Sequence, residues 1–311
     1  MSTLYVMVGL PGSGKSTIAE KLIRGTANSK IFSSDEYRKN LLGDIEDQSQ
    51  NQKVFDTLFR DMKTFLSCDD VTAIFDATNI TVKSRRKVFE SVRNLGCDVI
   101  AVVVPTTIEQ CIENNEKRDR VVPIPVLFKM MKQFEMPQKF EGFTDVFIGY
   151  TFPWEYKVTT GYVDDAADTI VKMFEFDQHN KHHKYTLGEH SYNLAKNYPM
   201  QSILYYAGLW HDVGKMHTQS FTEDGQAHYY SHENVSAYYL LSHRYLTKLN
   251  MDDLCECLFY INNHMHIRDI IKSEKAVNKY KALWGEERFR NLIDFMNNDN
   301  GASGRIMNEV K

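Results

Sequence analysis

Histidine is missing from the first 178 residues of this 311-residue chain, and all eleven histidines lie between His179 and His266. The five cysteines include no C-x-x-C pair, and their scattered positions favour a reducing, cytoplasmic compartment. No apolar run is long enough to span a bilayer, so no membrane partner is expected. The uneven distribution of histidine suggests that the two halves of the chain carry different chemistries.

A strong positive charge is also lacking. The formal net charge is −4, which argues against a protein that coats long duplexes by charge alone but allows binding of a nucleic-acid end in a locally basic cleft. The composition is 42% hydrophobic and 25% charged, which is typical of a globular chain. The length suits two domains rather than one.

The N-terminal stretch TLYVMVGLPGSGKST combines a strand-forming run, Thr3 to Val8, with a match to the phosphate-binding loop G-x-x-x-x-G-K-[ST]. In such a loop, glycines let backbone N–H groups point at phosphate oxygens, and a helix follows whose N-terminus favours anions. We expect Lys15 to reach the β- and γ-phosphates and Ser16 to ligate Mg²⁺. The nucleotide-binding residues predicted from this motif are Gly9, Gly12, Ser13, Gly14, Lys15, Ser16 and Thr17. Because the loop occupies the N-terminus, we expect no signal peptide.

Further strands alternate with helices in the first half. Strands are predicted over residues 30–34, 71–75, 98–105 and 145–152, and helices over 16–24, 108–117 and 126–135. This alternation predicts a parallel sheet with helices on both faces. Asp35 follows the second strand, where a carboxylate can accept a proton from an attacking hydroxyl or hold Mg²⁺ through water, although a helix-capping role is equally compatible. Asp76 follows the third strand in the same way.

Two arginines precede the sequence Val-Val-Pro at residues 121–123. Arginines on a mobile segment over the phosphates suit the lid of a phosphoryl-transfer enzyme, because negative charge builds up on the transferred group. Arg118 and Arg120 are therefore candidate lid residues. The basic cluster at residues 83–87 is more simply a solvated helix face.

Residues 1 to about 150 resemble the kinase domain of phage-type polynucleotide 5′-kinases. The resemblance is carried by GLPGSGKST, SSDEYR, DATN and KRDRVVPIPVL, which stand in this order. The segment between Arg118 and Pro123 is about one residue shorter than in that family, so Arg120 is the alternative to Arg118. The roles that the resemblance implies are a general base for a 5′-hydroxyl at Asp35, an acceptor site organised by Arg38 and Asp76, and a lid arginine at Arg118.

The second half has helical periodicity and almost no strand pattern. Helices are predicted over residues 187–195, 203–209, 234–248, 254–263 and 288–298, and a polar hinge over 178–184. Imidazoles and carboxylates recur on these helices. Mixed ligands of this kind suit Fe²⁺, Mn²⁺, Ni²⁺ or Zn²⁺ more than Ca²⁺. The candidate metal ligands are His190, His211, Asp212, His232, His264 and Asp299.

A second resemblance covers residues 176 to about 302. The motifs T-L-x-E-H, A-x-L-x-H-D-V-G-K, S-H-E and N-D-N-x-A are similar to those of the HD superfamily of metal-dependent phosphohydrolases. The resemblance implies that Lys215 stabilises phosphate charge. It also implies a first metal on His190, His211, Asp212 and Asp299, and a second metal or phosphate contact at His232 and His264.

These readings predict a multidomain chain: an α/β P-loop kinase domain over 1–160, a connecting helix over 161–175 and an all-α HD domain over 176–311. The predicted function is healing of RNA or DNA ends, with ATP or another NTP, Mg²⁺ and a transition metal as cofactors and an RNA ligase as functional partner. The alternative is a small-molecule or nucleoside kinase joined to an HD nucleotidase. A regulatory protein in which one site only senses a ligand is a third class, but the intact ligand sets in both halves argue against it.

Overall fold

A computed structural model describes residues 1–118, 120–149, 161–179, 184–223 and 225–303, with the backbone alone for 161–166. The chain forms two compact units. The first unit comprises the described residues up to Met131 together with 137–149. The second comprises the short segment 132–136 and the described residues from 161 onward.

Five parallel strands form the centre of the first unit, in the order β2-β3-β1-β4-β5. The strands are β1 Thr3–Val8, β2 Ser29–Ser33, β3 Thr72–Asp76, β4 Asp98–Val103 and β5 Asp145–Ile148. Strands of a parallel sheet are apolar over most of their length because elements cover both faces. Met7, Ile74 and Val102 from three adjacent strands are fully buried and pack in one core cluster with Ala19.

Helices connect these strands. They are α1 Lys15–Ile23, α2 Ser34–Leu42, α3 Asn51–Leu66, α4 Val82–Val92, α5 Ile108–Glu116 and α6 Ile124–Met131, with a 3₁₀ turn at Lys139–Glu141. Helices α2 and α3 follow β2, and no sequence motif had delimited α3. This arrangement confirms the predicted α/β fold class of the first half.

The second unit is helical. Its helices are α7 Gly161–Glu175, α8 Leu187–Ala195, α9 Ile203–Trp210, α10 Lys215–Thr218, α11 His232–Ser242, α12 Met251–Asn263, α13 Ile267–Ile270, α14 Glu274–Trp284 and α15 Glu286–Ala302. A 3₁₀ turn, Arg244–Leu246, and a small antiparallel pair, β6 Ser220–Phe221 with β7 Ala227–His228, complete it. The predicted all-helical character is therefore confirmed apart from this short pair. No helix formed by the described residues combines the length and the apolar character needed to cross a membrane.

Two predicted helices end earlier than expected. The helix predicted over 126–135 ends at Met131. Beyond it, the Asn262 side chain donates to the carbonyl of Phe134 and accepts from the amide of Met136, and Pro137 disfavours helical backbone at the residue before it. The helix predicted over 234–248 ends at Ser242, where the His243 ring lies 2.9 Å from the Tyr239 carbonyl oxygen.

The connecting helix predicted over residues 161–175 coincides with α7, which belongs to the second unit. Helix α7, expected to connect the domains, packs on α8, and a Cβ added at Gly188 would lie 2.6 Å from the ring of Phe174. Gln178, expected in a polar hinge, is only 1% exposed. Residues 180–183 of that hinge and 150–152 of the predicted last strand lie outside the described residues.

Candidate functional sites

The phosphate-binding loop between β1 and α1 depends on two glycines. Gly12 and Gly14 have φ values of +78° and +91°, which disfavour residues with a Cβ. A Cβ at Gly12 would also lie 2.2 Å from the carbonyl oxygen of Cys111. The ammonium group of Lys15 donates to the carbonyl of Leu10 at 2.7 Å, and burial lowers its pKa. The loop therefore curls around a nearly buried lysine.

The remaining motif residues pack or line the cavity next to this loop. A Cβ at Gly9 would lie 2.7 Å from Ser13 Oγ, so the two residues are in tight contact. Thr17 lines the cavity. Ser16 Oγ donates to Asp76 Oδ2 at 2.7 Å. A hydroxyl beside a carboxylate is an oxygen donor pair that suits Mg²⁺, so these two side chains fit the ion that the loop implies.

The sheet brings Asp35 and Asp76 to the same edge. In the parallel pair of β2 and β3, Ser33 is the partner of Asp76. Ser33 also caps α2, because its side chain accepts from the amide of Glu36. Asp35 thus lies in the first turn of α2, just beyond the strand end, where ligands of α/β sheets bind.

Three arginines surround the Asp35 carboxylate. Arg120 Nη1 lies 2.6 Å and Arg38 Nη1 2.9 Å from Oδ1, and Arg118 Nη2 lies 3.4 Å from Oδ2. Both candidate lid arginines therefore contact this carboxylate. Arg38 is only 4% exposed, and its Nη2 donates to Asn51 on α3 at 3.0 Å. Sequence reasoning missed Asn51, which carries no motif signal.

These residues share one cavity of about 1220 Å³. It runs from the phosphate-binding loop past Asp35 and Arg38 to α3 and α4. Small-molecule pockets measure roughly 300–1,000 Å³, so this cavity has room for more than one small ligand. All predicted kinase-site side chains apart from Ser13 line it, and Gly12 and Gly14 contribute loop backbone.

The second unit brings the six predicted metal ligands together. Asp212 is central. Its Oδ2 lies 3.3 Å from His190 Nε2 and 3.2 Å from His211 Nε2, whereas its Oδ1 lies 3.0 Å from His232 Nε2 and 3.7 Å from His264 Nε2. Asp299 Oδ1 lies 3.0 Å from His190 Nε2. One carboxylate therefore faces two pairs of imidazoles with its two oxygens.

The geometry fits a metal ion. Two ligand atoms about 2.1 Å from an ion and at right angles to each other are about 3.0 Å apart, close to most of these separations. Three of the imidazoles direct Nδ1 at a backbone carbonyl: His211 at Gly208, His232 at Tyr229 and His264 at Ile261. Such bonds fix the tautomer and leave Nε2 as the ligand atom.

Charge at the cluster also favours a cation. Burial opposes a charge on His211, but Asp212 and Asp299 outweigh it and raise its pKa to about 10. Burial would likewise raise the pKa of Asp212, yet His211 and Lys215 hold it well below its usual range. The pKa of His264 is lowered, by burial first and then by the neighbouring histidines. The two buried carboxylates thus attract positive charge.

Two further side chains support this cluster. Lys215 Nζ lies 2.7 Å from Asp212 Oδ2 and donates to Gln178 Oε1 at 2.9 Å. Arg268 Nη2 lies 2.6 Å from Asp299 Oδ2, the oxygen that does not face His190. Lys215 was predicted from the HD resemblance. Gln178 and Arg268 were not, because no recognisable motif includes them.

Comparison with known proteins covers mainly the first unit. A family model described as an AAA domain matches residues 4–137. A curated 6-phosphofructo-2-kinase/fructose-2,6-bisphosphatase of Aquarana catesbeiana is 30% identical over an alignment of 117 residues, with coverage of 32% of this chain and 25% of that protein. The chain therefore spans a quarter of the length of this relative.

Solved structures give weaker likenesses. A chain of the Pnkp1/Rnl/Hen1 RNA repair complex is 22% identical with a TM-score of 0.39, over 42% of this chain and 43% of its own. A fungal RNA kinase is 13% identical with a TM-score of 0.38, over 56% of this chain and 88% of its own. The motif, the parallel sheet and the family match give the first unit the α/β fold of P-loop kinases, a fold that implies use of a nucleoside triphosphate and Mg²⁺.

Proposed function

We propose that the protein heals nucleic-acid ends with two activities: NTP-dependent phosphorylation of 5′-hydroxyl ends, and metal-dependent removal of 3′- or 2′-phosphates or opening of 2′,3′-cyclic phosphates. The observation that carries the proposal is the pairing of two site types in one chain. The first unit has a carboxylate beside a phosphate-binding loop, and the second has a buried cluster of four imidazoles and two carboxylates.

In the kinase step, Asp35 accepts the proton of the 5′-hydroxyl while the hydroxyl oxygen attacks the γ-phosphorus of the NTP. The bond between the γ-phosphorus and the β,γ-bridging oxygen breaks, and the NDP leaves. Arg38 is held by Asn51 and keeps the carboxylate in place. Arg118 and Arg120 lie on the segment beyond α5 and neutralise charge on the transferred phosphoryl group. Catalysis here is mostly positioning and charge neutralisation.

In the hydrolase step, the residues that would hold the first ion are His190, His211, Asp212 and Asp299, and His232 and His264 would hold a second ion or contact the phosphate. A bound transition metal supplies Lewis acidity and activates water. Lys215 lies against Asp212 and neutralises phosphate charge at the same place. Arg268 holds the outer oxygen of Asp299 and so orients its inner oxygen.

Phosphorylation of the 5′ end and complete removal of the phosphate from the 3′ end, with a cyclic phosphate first opened and then removed, leave a 5′-phosphate and a 3′-hydroxyl. These are the ends that a ligase joins, so an RNA ligase is the natural functional partner. An RNA or DNA end is the proposed substrate, and no membrane is involved in this role.

A small-molecule kinase joined to a nucleotidase is the rival function. The curated relative, named as a 6-phosphofructo-2-kinase/fructose-2,6-bisphosphatase, favours that class for the kinase fold. The cavity of about 1220 Å³ favours a larger acceptor, since a mononucleotide or sugar kinase needs only a closed pocket for its second substrate.

The deciding assay uses γ-labelled ATP with 5′-hydroxyl RNA, 5′-hydroxyl DNA, nucleosides and fructose 6-phosphate, beside RNA carrying 3′-phosphate or 2′,3′-cyclic phosphate ends. End healing predicts label on a polynucleotide and loss of phosphate from its 3′ end. Label on small acceptors alone would establish the rival.

A further inference from the structure

We infer that the part of the kinase cavity beyond Asp35 is a subsite for the acceptor strand downstream of its 5′-terminal nucleotide, in which Phe55 stacks on a base and Lys87 pairs with a backbone phosphate. The inference rests on the proposed kinase activity and defines its substrate class as a polynucleotide rather than a nucleoside.

Two groups of residues line the cavity. One group belongs to the phosphate-binding loop and the segment carrying Arg118 and Arg120, the parts of the fold that bind a nucleoside triphosphate. The other group belongs to α3 and α4, with Gln52 and Phe55 on α3 and Lys87 on α4, and we assign it to the second end of the cavity. An acceptor whose 5′-hydroxyl meets Asp35 extends toward this second end.

Lys87 is positioned to bind an anion of a ligand, because the part of the protein that the structure describes offers it no carboxylate partner. It is exposed and forms no ion pair with any residue that the structure describes. It ends the basic cluster at residues 83–87, which the sequence suggested to be only a solvated face. Of the four cations in that cluster, Lys87 alone lines the cavity, whereas Lys83 and Arg86 are exposed elsewhere on α4.

The cavity as a whole has the charge that a nucleic acid requires. Five cationic and three acidic side chains line it, although the whole chain carries a formal charge of −4. A local excess of positive charge in an acidic protein favours phosphate at this place over the rest of the surface.

Phe55 offers a fixed aromatic surface. Its ring packs against Phe59 and Phe75 at centroid distances of 6.0 and 6.5 Å, and the side chain is half-buried while lining the cavity. A ring held from behind loses little freedom when a base stacks on it. Stacking tolerates every base, so this subsite selects for a strand without selecting a sequence.

The test compares two acceptors, a 5′-hydroxyl RNA tetranucleotide and a 5′-hydroxyl nucleoside, in wild type, Lys87→Gln and the matched control Lys83→Gln. Loss of one charge-assisted contact predicts that Lys87→Gln lowers kcat/KM for the tetranucleotide roughly tenfold, mainly through KM. The slope of log KM against log salt should change by about 0.7, the value for one phosphate of a single strand. In Lys87→Gln, the kcat/KM for the nucleoside and the KM for ATP should be unchanged. In the control Lys83→Gln, the kcat/KM for the tetranucleotide should be unchanged as well.

Phe55→Leu gives a second readout, with a loss for the tetranucleotide of roughly 5- to 100-fold and none for the nucleoside. An equal loss for both acceptors in either variant, or equal effects of Lys87→Gln and Lys83→Gln, would overturn the subsite. Failure of the proposed function looks different, because the wild-type protein would then label neither RNA nor DNA ends.

Discussion

At the scale of single residues, the kinase account depends on Asp35. Replacement by asparagine keeps the shape but removes the proton acceptor, so kcat for 5′-hydroxyl RNA should fall roughly 10²- to 10⁴-fold. The affinity for ATP should stay nearly the same, because the base acts on the acceptor. Asp56→Asn, an exposed carboxylate on α3 outside the cavity, is the control. Near-normal turnover of Asp35→Asn would remove Asp35 as the base.

Arg268 is predicted to support metal binding indirectly, by holding Asp299 in position. It binds the outer oxygen of Asp299 at 2.6 Å and donates to Asn300 at 2.7 Å. Loss of such a supporting contact lowers metal affinity about 10- to 100-fold, so Arg268→Ala should weaken Mn²⁺ binding by this factor in calorimetric titration. Arg268→Lys should restore part of it.

Arg290→Ala is the matched control, because Arg290 is an exposed arginine on the neighbouring helix α15. An unchanged Mn²⁺ dissociation constant in Arg268→Ala would mean that Asp299 needs no such support.

The sequence named the candidate metal ligands but not the side chains that hold them in place. His211 and Asp212 are adjacent in a motif, and a motif makes a residue recognisable without any structure. Asn51, Gln178 and Arg268 acquire their roles only when segments far apart in the chain meet: Arg268 is 31 residues from Asp299. A hydrogen bond of this kind leaves no periodic or compositional signal in a single sequence.

At the scale of elements, the loop after β3 depends on a buried ion pair. Arg85 on α4 is fully buried, binds both oxygens of Glu141 at 2.8 Å and donates to the carbonyl of Asn79 at 3.0 Å. Arg85→Ala leaves the Glu141 carboxylate buried and unpaired, which should cost the first unit about 3–5 kcal/mol. Hydrogen exchange of the amides in β1 and β3 measures this loss.

The adjacent variant Arg86→Ala removes an exposed arginine from the same helix and should change stability by no more than about 0.5 kcal/mol. Equal effects of Arg85→Ala and Arg86→Ala would show that the pair with Glu141 does not stabilise the unit.

The proposed metal ligands are distributed over helices that are distant in sequence. His190 lies on α8, His232 on α11 and Asp299 on α15, so an ion bound by them would tie distant parts of the helical unit together. At a free metal concentration of about 100 times Kd, binding adds about 2.7 kcal/mol. Chelation should therefore lower the Tm of this unit by roughly 5–10 °C.

Tryptophan fluorescence can follow this change, because all three tryptophans lie beyond residue 150. Hydrogen exchange of the first unit serves as the internal control. If chelation destabilised both units equally, or did not destabilise the second unit, these helices would not hold a metal ion.

Most helices and strands were predictable from the sequence, but the ends of some of them were not. Hydrophobic runs and periodicity predicted β1 and α8 with the bounds that the structure has. Helix α6 ends at Met131, and the segment that follows it binds Asn262 instead: the Asn262 side chain accepts from the amide of Met136, 126 residues away. Local sequence cannot report such a long-range competitor for backbone hydrogen bonds.

At the scale of the whole molecule, the proposed function places two chemistries in two separate units. Lys15 belongs to the first unit and Asp212 to the second. A substitution at either site should therefore abolish one activity and leave the other. This independence is the central claim. If the first unit held the only active site and the helical unit were purely structural, no substitution could remove one activity and leave the other.

The most direct measurement follows both ends of one RNA that carries a 5′-hydroxyl and a 3′-phosphate, with Lys15→Ala, Asp212→Ala and wild type under the same conditions and metal content determined for each. Lys15→Ala should remove the 3′-phosphate and add no 5′-phosphate. Asp212→Ala should add the 5′-phosphate, lose its bound transition metal and leave the 3′-phosphate in place. Full removal of the 3′-phosphate by metal-free Asp212→Ala, or loss of both activities in one folded variant, would contradict the account.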